Sequence, residues 1–192
     1  PRLARFRERF PRIDLVLKTS RYLADFRRED IDLAIRFGPA EQRELRAVRL
    51  MGELVYPVAS PSLVSAARVP LPVEALADWP LLHDVDAPGQ RWMNWRAWLE
   101  RAGVDPSRAT RGLQFTDSVV IIAAATAGLG IALGRSPHVD DLLARGQLVR
   151  LTREEWQADW AYHLVAPAPH FSRPNVRAFV DWASAEGAAG SG

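Results

Sequence analysis

Residues 113–134 read LQFTDSVVIIAAATAGLGIALG, and this stretch determines the expected fold class. Its first residues alternate as in a strand, and Thr116 or Asp117 can cap the N-terminus of the helix that follows. Gly128 closes that helix, and a second strand begins near Ile131. A strand–helix–strand order of this length predicts an α/β protein.

The sequence on both sides repeats this alternation of helices and strands, which is typical of an α/β layer with parallel strands. We predict further helices at 3–10, 22–28, 92–102 and 174–183, and further strands at 13–17, 31–38, 53–64, 79–83, 146–151 and 161–167.

Prolines interrupt the alternation in two places. Pro57 and Pro61 fall within the strand predicted at 53–64, which therefore reads as an edge strand or a crossover, because proline cannot donate to a central ladder. A second proline-rich passage lies at 166–174. Two such passages suggest two α/β lobes joined by two crossings, with a ligand cleft where the βα loops converge.

The composition excludes several classes of protein. The chain has 192 residues with 25 basic and 23 acidic side chains, and Lys18 is the only lysine. Arginines and acids alternate, which indicates a mixed solvated surface rather than a nucleic-acid patch. No apolar run approaches the roughly 18 residues of a membrane span. The absence of cysteine fits a reducing compartment, and a cytoplasmic location is expected.

No motif for catalysis or for cofactor binding is visible. The four histidines lack the spacing of metal ligands, and neither a nucleophile elbow nor a P-loop is present. Gly128-x-Gly130 ends a helix and enters a strand, the reverse of a dinucleotide-binding loop. Trp92, Trp95 and Trp98 have helical spacing and are expected in the core. We therefore predict no cofactor, no metal and no enzymatic activity.

The order of several weak motifs resembles one family, the effector-binding (regulatory) domain of LysR-type transcription regulators. The resemblance is greatest to the branch that includes the glycine-cleavage and β-lactamase-inducer regulators. It covers about nine-tenths of the chain and rests on this series: IDLAIRFG (31–38), VASPSLV (58–64), LADWPLL (76–82), FTDS (115–118), AAATAGLGIAL (123–133), LLARGQLVRL (142–151) and YHLVAP (162–167).

The resemblance implies an α/β fold of two Rossmann-like lobes, like the type II periplasmic binding proteins, with a small-molecule effector held between the lobes. Lobe I would comprise residues 1–57 and 165–186 and would lack its first strand. Lobe II would comprise residues 58–164, and residues 187–192 would form a disordered tail.

The same resemblance implies the partners. DNA would be bound only through a missing N-terminal helix-turn-helix domain, and the protein would be a homodimer, or a tetramer when intact. In the dimer, the first helix and strand (Leu3 to Leu17) of one subunit would face the helix from Val119 to Ala127 of the other. No membrane partner is expected.

The candidate ligand-binding residues of lobe II lie at strand ends. Thr116, Asp117 and Ser118 stand where a strand gives way to a helix, whose N-terminal N–H groups suit an anion. A simple helix cap is the alternative, and an anionic Asp117 could equally select an amine. His83 follows an apolar strand end and could contact the ligand or be an ordinary surface residue.

The other candidate residues are Arg36, Phe37 and Gly38 of lobe I, and Tyr162, which opens the strand that returns to lobe I. The first three end a strand, where Gly38 could take a positive φ and let a ligand approach the backbone; a plain turn is the alternative. Tyr162 resembles a tyrosine that lines the pocket in the β-lactamase-inducer branch, with hinge packing as the alternative.

Two other functions use the same architecture. A periplasmic solute-binding receptor would carry a signal peptide upstream and would normally be monomeric. An enzyme on this scaffold, such as a dehydratase or deaminase, is disfavoured by the absence of paired catalytic groups.

Overall fold

The computed structural model describes residues 2–20, 22–39, 44–87, 89–109 and 111–189, with the backbone alone at 67, 188 and 189. Contacts divide the chain into two compact units: unit 1 is residues 1–52 with 159–192, and unit 2 is residues 53–158.

The elements in chain order are α1 (Leu3–Arg9), β1 (Ala34–Gly38), β2 (Arg46–Met51), β3 (Leu54–Ala59), β4 (Leu81–Asp84), α2 (Trp95–Arg101), β5 (Gly112–Phe115), α3 (Ser118–Thr126), β6 (Ile131–Arg135), α4 (Ser136–Ala144), β7 (Val149–Arg150), β8 (Trp156–Gln157), β9 (Ala161–Ala166) and α5 (Pro174–Ala189). Short 3-10 helices lie at Ala66–Arg68, Val73–Asp78, Arg91–Met93, Pro106–Arg108 and Ala168–Ser172.

Unit 1 is built on a three-stranded sheet in the order β1-β9-β2, in which β9 pairs antiparallel with both neighbours. Apolar side chains of α1 and α5 cover it: Phe6 is fully buried, and its ring lies 5.2 Å from that of Phe179 and 5.0 Å from that of Trp182. The predicted amphipathic helices at both ends of the chain thus form one core with β9.

Unit 2 contains a six-stranded mixed sheet. Its main order is β5-β4-β6-β3-β7, with β8 also paired to β3. β4 is parallel to both β5 and β6, whereas β3 is antiparallel to its neighbours. The α3 helix packs on this sheet through buried Ile121, Ile122 and Ala125. Trp92, Trp95 and Trp98 are buried, as their helical spacing predicts.

Several local predictions are wrong. Residues 13–20 form no strand, because none of the described residues pairs with them, and Val16 is 82% exposed. Residues 26–28 form a turn in place of the predicted helix at 22–28, and the Asp25 side chain accepts the backbone N–H of Arg27 at 3.0 Å. The sheet of unit 1 is antiparallel rather than parallel. The α4 helix was not predicted.

The strand predicted at 53–64 is not an edge strand. β3 pairs with β6 on one side and with β7 and β8 on the other. The carbonyl of Pro57 accepts the N–H of Leu151 at 2.9 Å, so Pro57 faces the edge shared by two short strands. Proline has no N–H, and the nitrogen of Pro57 faces the gap between β7 and β8. The proline therefore removes no hydrogen bond to either strand and is tolerated inside the sheet.

The predicted lobe boundaries at 57/58 and 164/165 would cut through β3 and β9. β3 belongs wholly to unit 2 and β9 wholly to unit 1, so the chain crosses between units at 52/53 and 158/159. The disordered tail predicted at 187–192 does not begin at Gly187, because α5 continues to Ala189; residues 190–192 lie outside the described residues. A Cβ at Gly187 would approach the carbonyl oxygen of Leu50 to 2.5 Å, so this residue packs against β2.

A buried ion pair lies at the start of unit 2. The side chain of Glu53 is fully buried, and Arg135 at the end of β6 donates its Nε–H to both carboxylate oxygens at 2.9 Å. The backbone carbonyl of Glu53 accepts the N–H of Ala158 at 3.1 Å and the side-chain amide of Gln157 at 2.9 Å. These contacts hold both chain crossings to the same sheet.

We predict that Glu53→Ala lowers the free energy of unfolding by about 3–5 kcal/mol, because it leaves a buried guanidinium uncompensated. The double variant Glu53→Leu/Arg135→Met should recover most of this loss. Urea unfolding of wild type, Glu53→Leu, Arg135→Met and the double variant measures the coupling between the two side chains. Arg27→Ala is the control, since Arg27 and Glu44 form an exposed pair with side chains 84% and 79% accessible. A loss for Glu53→Ala no larger than for this control would contradict the prediction.

Candidate functional site

The predicted residues of unit 2 meet at one edge of its sheet. β4 and β5 are parallel, with His83 opposite Gln114 and Asp84 opposite Phe115. Because the carboxyl ends of parallel strands lie at the same edge, His83 is brought close to the turn that carries Thr116, Asp117 and Ser118. This group of four is called the polar edge below.

Asp117 is the N-cap of α3, as the sequence predicted. Its Oδ1 accepts the backbone N–H groups of Val119 at 2.8 Å and Val120 at 3.3 Å. These N–H groups are the ones that an anion at the helix N-terminus would use. Asp117 therefore already satisfies much of the anion-binding capacity of this helix end.

Asp84 is a fifth residue of the polar edge, and sequence reasoning missed it. The hydroxyl of Ser118 donates to its Oδ2 at 3.0 Å, and the N–H of Asp86 donates to its Oδ1 at 3.0 Å. Asp84 thus ties the end of β4 to the start of α3. The signal was its position directly after His83 at the end of an apolar strand, but the contact depends on the β4–β5 register.

His83 is half-buried on β4, and its Nε2 lies 3.5 Å from the carbonyl oxygen of Arg111. This distance is at the outer limit of a hydrogen bond. Thr116 is exposed, whereas Asp117 and Ser118 are half-buried. The polar edge therefore combines two carboxylates, two hydroxyls and an imidazole at an accessible place.

The predicted residues of unit 1 also meet at a strand end. In the β1–β9 ladder, Phe37 lies opposite Tyr162 and Arg36 opposite His163. The rings of Phe37 and Tyr162 are 4.9 Å apart. Gly38 does not adopt the positive φ that the sequence allowed, and a Cβ there would meet no atom within 4 Å. Space is open beside this residue.

The eight predicted residues thus fall into two sets of four, one in each unit, and each set is assembled by strand pairing. Among the described residues, no group of three or more His, Asp or Glu side chains is placed to hold a metal ion. No helix within the described ranges is long and apolar enough to cross a membrane.

Comparison with known proteins shows which family this chain resembles. A family model described as the LysR substrate binding domain matches residues 1–188. The glycine cleavage system transcriptional activator of Escherichia coli (strain K12) is 28% identical over 98% of this chain and 60% of its own length. The HTH-type transcriptional regulator DsdC of the same strain is 30% identical over 95% of this chain and 59% of its own length. The chain spans about three-fifths of the length of these curated relatives.

Solved structures agree with the sequence comparison. The AmpR effector binding domain from Citrobacter freundii matches with a TM-score of 0.79 at 25% identity, covering 98% of this chain and 90% of that chain. The effector domain of AmpR of Pseudomonas aeruginosa matches with a TM-score of 0.78 at 27% identity, covering 98% and 88%.

Two α/β units with polar and aromatic residues at their strand ends define a ligand-sensing domain with the two-lobed fold of periplasmic binding proteins. The chain belongs to the LysR substrate-binding domain family. The resemblance predicted from the motif order is therefore confirmed, and the comparisons do not favour a periplasmic receptor.

We predict that Asp117→Ala lowers the stability of unit 2 by about 0.5–2 kcal/mol, because α3 loses its cap. Asp117→Ser should retain most of the stability, since its hydroxyl can accept the same N–H groups. Chemical denaturation followed by circular dichroism measures both variants. Equal stability of Asp117→Ala and wild type would show that the cap contributes nothing.

Proposed function

We propose that the intact protein is a cytoplasmic LysR-type transcription regulator that binds DNA through a segment preceding these residues and performs no catalysis. This chain spans about three-fifths of the length of its relatives, and several of them are named as HTH-type transcriptional regulators. The structures that match are named as effector domains. In this proposal the described domain senses a small molecule and controls the DNA-binding segment.

Each of the two sets of strand-end residues is a candidate for contact with the effector: Arg36, Phe37, Gly38 and Tyr162 of unit 1, and His83, Thr116, Asp117 and Ser118 of unit 2. The observation that carries this assignment is that strand pairing brings one distant residue beside three consecutive ones in each set: Tyr162 beside residues 36–38, and His83 beside residues 116–118. Ligand sites present a few convergent polar groups, and His83, Thr116, Asp117 and Ser118 form such a group within unit 2.

The chemistry of the polar edge favours a hydrogen-bond donor on the effector. Asp84 and Asp117 are both carboxylates, and Asp117 already occupies the N–H groups of Val119 and Val120. An ammonium or hydroxyl group of the effector could donate to these oxygens and to Ser118. Of the two alternatives that the sequence left open, an amine-bearing effector therefore has better support than an anion at this edge.

The effector would act by shifting an equilibrium between two states of the domain. A ligand can shift such an equilibrium only by its difference in affinity for the two states, and a coupling of about 1–3 kcal/mol is typical. Residues that contact the effector in one state alone would supply this difference.

The test is a thermal-shift screen of amino acids, amines, hydroxy acids and aromatic acids on the 192-residue chain. A compound at about one hundred times its Kd should stabilise the domain by about 2.7 kcal/mol. Asp117→Asn keeps a side-chain oxygen that can cap the helix. It should raise at least tenfold the compound concentration that gives the same stabilisation. Asp105→Asn is the matched control, because Asp105 caps a different turn by accepting the N–H of Ser107 at 2.9 Å.

The screen separates the components of this proposal. No stabilisation by any compound in the panel, or equal loss in both variants, would contradict effector binding at the polar edge. A secreted solute receptor would instead require a secretion signal in the upstream gene sequence, where we expect a helix-turn-helix.

We further propose that the domain forms a homodimer. The α3 helix carries no charged side chain, yet Val119 is 71% and Val120 49% exposed. In unit 1, Val16 and Leu17 are exposed. Unit 1 has 15 basic and 11 acidic residues and unit 2 has 10 and 12, so pairing unlike units brings opposite net charges together. An antiparallel dimer buries these surfaces twice by symmetry.

We predict that Val119→Glu converts the dimer to a monomer, because it places a carboxylate in an apolar contact. Sedimentation velocity at tens of micromolar measures the change. Ala144→Glu, at an exposed position at the end of α4, is the control and should leave the dimer intact. A wild-type chain that sediments as a monomer would refute the dimer.

A further inference from the structure

Three basic side chains form a row across the sheet of unit 1. His163 lies on the middle strand, β9, opposite Arg36 of β1 on one side and Arg49 of β2 on the other. Residues that are paired across neighbouring antiparallel strands project from the same face of the sheet, with Cβ atoms about 4.5–5.5 Å apart. These three residues are called the basic row.

The basic row lies on the face of the sheet that is turned away from the apolar core of unit 1. Leu164 is fully buried and belongs to the same core cluster as Phe6. It lies opposite Ile35 and Val48. Because side chains alternate along a strand, His163 projects from the other face. The basic row is therefore separate from the packing of α1 and α5.

His163 is buried but retains an unused polar atom. Its side chain belongs to a residue that is only 4% exposed, and its Nδ1 lies 3.0 Å from the carbonyl oxygen of Ala161. A carbonyl oxygen only accepts, so Nδ1 carries the hydrogen. Its Nε2 makes no hydrogen bond with a described residue and is not sealed off by protein atoms. Buried polar groups are normally hydrogen-bonded, so this nitrogen points to a ligand.

The charges that face His163 are all positive on the two strands that flank β9. They are Arg36 from β1 and Arg49 from β2. Among the described residues, none forms an ion pair or a hydrogen bond with Arg49. Guanidinium groups that converge on one point bind carboxylates and phosphates through charge-assisted hydrogen bonds. The row therefore has the chemistry of an oxyanion site.

Space for a small group lies on the same face as the basic row. Gly38 follows Arg36 by two residues, so its missing side chain would project from this face, about 7 Å along the strand. Gly38 is buried, yet a Cβ there would meet no atom within 4 Å. Its partner across the ladder, Ala161, has only a methyl group. An arginine side chain can reach across this space.

We propose that the basic row binds an oxyanion, the carboxylate or phosphate group of a small metabolite. Arg36 and Arg49 hold it from two sides. Nε2 of His163 donates to it when the ring is protonated, because Nδ1–H already donates to Ala161. The site lies within unit 1. It goes beyond the effector contacts proposed above, which include Arg36 and Gly38 but neither His163 nor Arg49.

The experiment titrates the 192-residue chain with sodium sulfate and with sodium acetate, at constant ionic strength set by sodium chloride. NMR follows the imidazole signals of the four histidines, and the His163→Gln spectrum assigns the signal of His163. This signal should move to saturation with at least one probe, whereas that of His83 on the polar edge should not move. The order of the two affinities reports whether the site prefers a phosphate-like anion or a carboxylate.

The pH dependence tests the part played by the ring. Both probes keep their charge between about pH 8 and about pH 6, whereas an imidazole gains a proton in this range. Because Nε2 becomes a donor on protonation, the affinity should rise at least threefold as the pH falls. In His163→Gln this dependence should disappear, since the amide of glutamine does not titrate.

Substitutions at an exposed position test the row without disturbing the buried ring. Arg49→Gln should weaken binding of the preferred probe about tenfold, because a charge-assisted hydrogen bond is lost, and Arg49→Lys should weaken it less. Arg46→Gln is the matched control. Arg46 is on the same strand but on the opposite face, over the ring of Phe171 at 4.6 Å, so the same loss of charge should leave the affinity unchanged.

The outcomes separate this site from the proposed function. If sulfate and acetate move the His163 signal no more than sodium chloride does, the basic row is not a site. The same holds if Arg49→Gln weakens binding no more than Arg46→Gln. Effector binding at the polar edge would still stand, because the thermal-shift screen with Asp117→Asn tests it separately. If instead the row binds an anion and no compound of the panel depends on Asp117, the oxyanion site stands alone.

Discussion

The parallel pairing of β4 with β5 and β6 is the constraint on which the polar edge depends. It places the ends of two strands side by side, so that Asp84 reaches Ser118 over 34 residues of sequence. The pairing requires a very close backbone approach at Gly112, where a Cβ would lie 1.6 Å from the carbonyl oxygen of Leu81. Only glycine permits this contact, and its φ of 147° is one that other residues rarely adopt.

The pairing of β4 with β6 also requires a close backbone approach at a glycine. A Cβ at Gly130 would lie 2.5 Å from the carbonyl oxygen of Pro80, and the next residue, Ile131, donates its N–H to that oxygen at 2.8 Å. Glycine therefore stands on both flanks of β4 where its neighbours must approach most closely. Gly112 and Gly130 therefore allow the strand register that brings the candidate ligand-binding side chains together.

The features predicted from sequence are those that local interactions determine. The cap at Asp117, the helix after it and the strand at 161–166 follow from spacing and from short-range hydrogen bonds. Asp84 could not be found in this way, because it becomes a candidate only when strand pairing brings Ser118 beside it. The α4 helix had a readable signal, with Pro137 in its first turn and buried Val139, and that signal was missed.

Two of the strand predictions, the strand at 13–17 and the edge position of the strand at 53–64, failed for a related reason. Alternation at 13–17 predicts a strand, but alternation supplies no partner for the backbone, and no described residue pairs with this segment. Pro57 was taken to exclude a central position, although the relevant question is which edge of the strand the proline faces. A strand is a property of a pair, whereas a helix is largely a property of one segment, and sequence alone describes segments.

The two strand-end sets differ in chemistry, and this difference bears on how an effector could act. The polar edge offers carboxylates and hydroxyls, whose interactions depend steeply on distance and angle. Phe37 and Tyr162 of the other set offer apolar area, which attracts without strong directionality. A ligand shifts the equilibrium between two states only through contacts that it makes in one state and not in the other, however many contacts it makes in total. Directional contacts of the kind that Asp84 and Ser118 make are lost by small displacements, so the polar edge is better suited than an apolar surface to discriminate between two states.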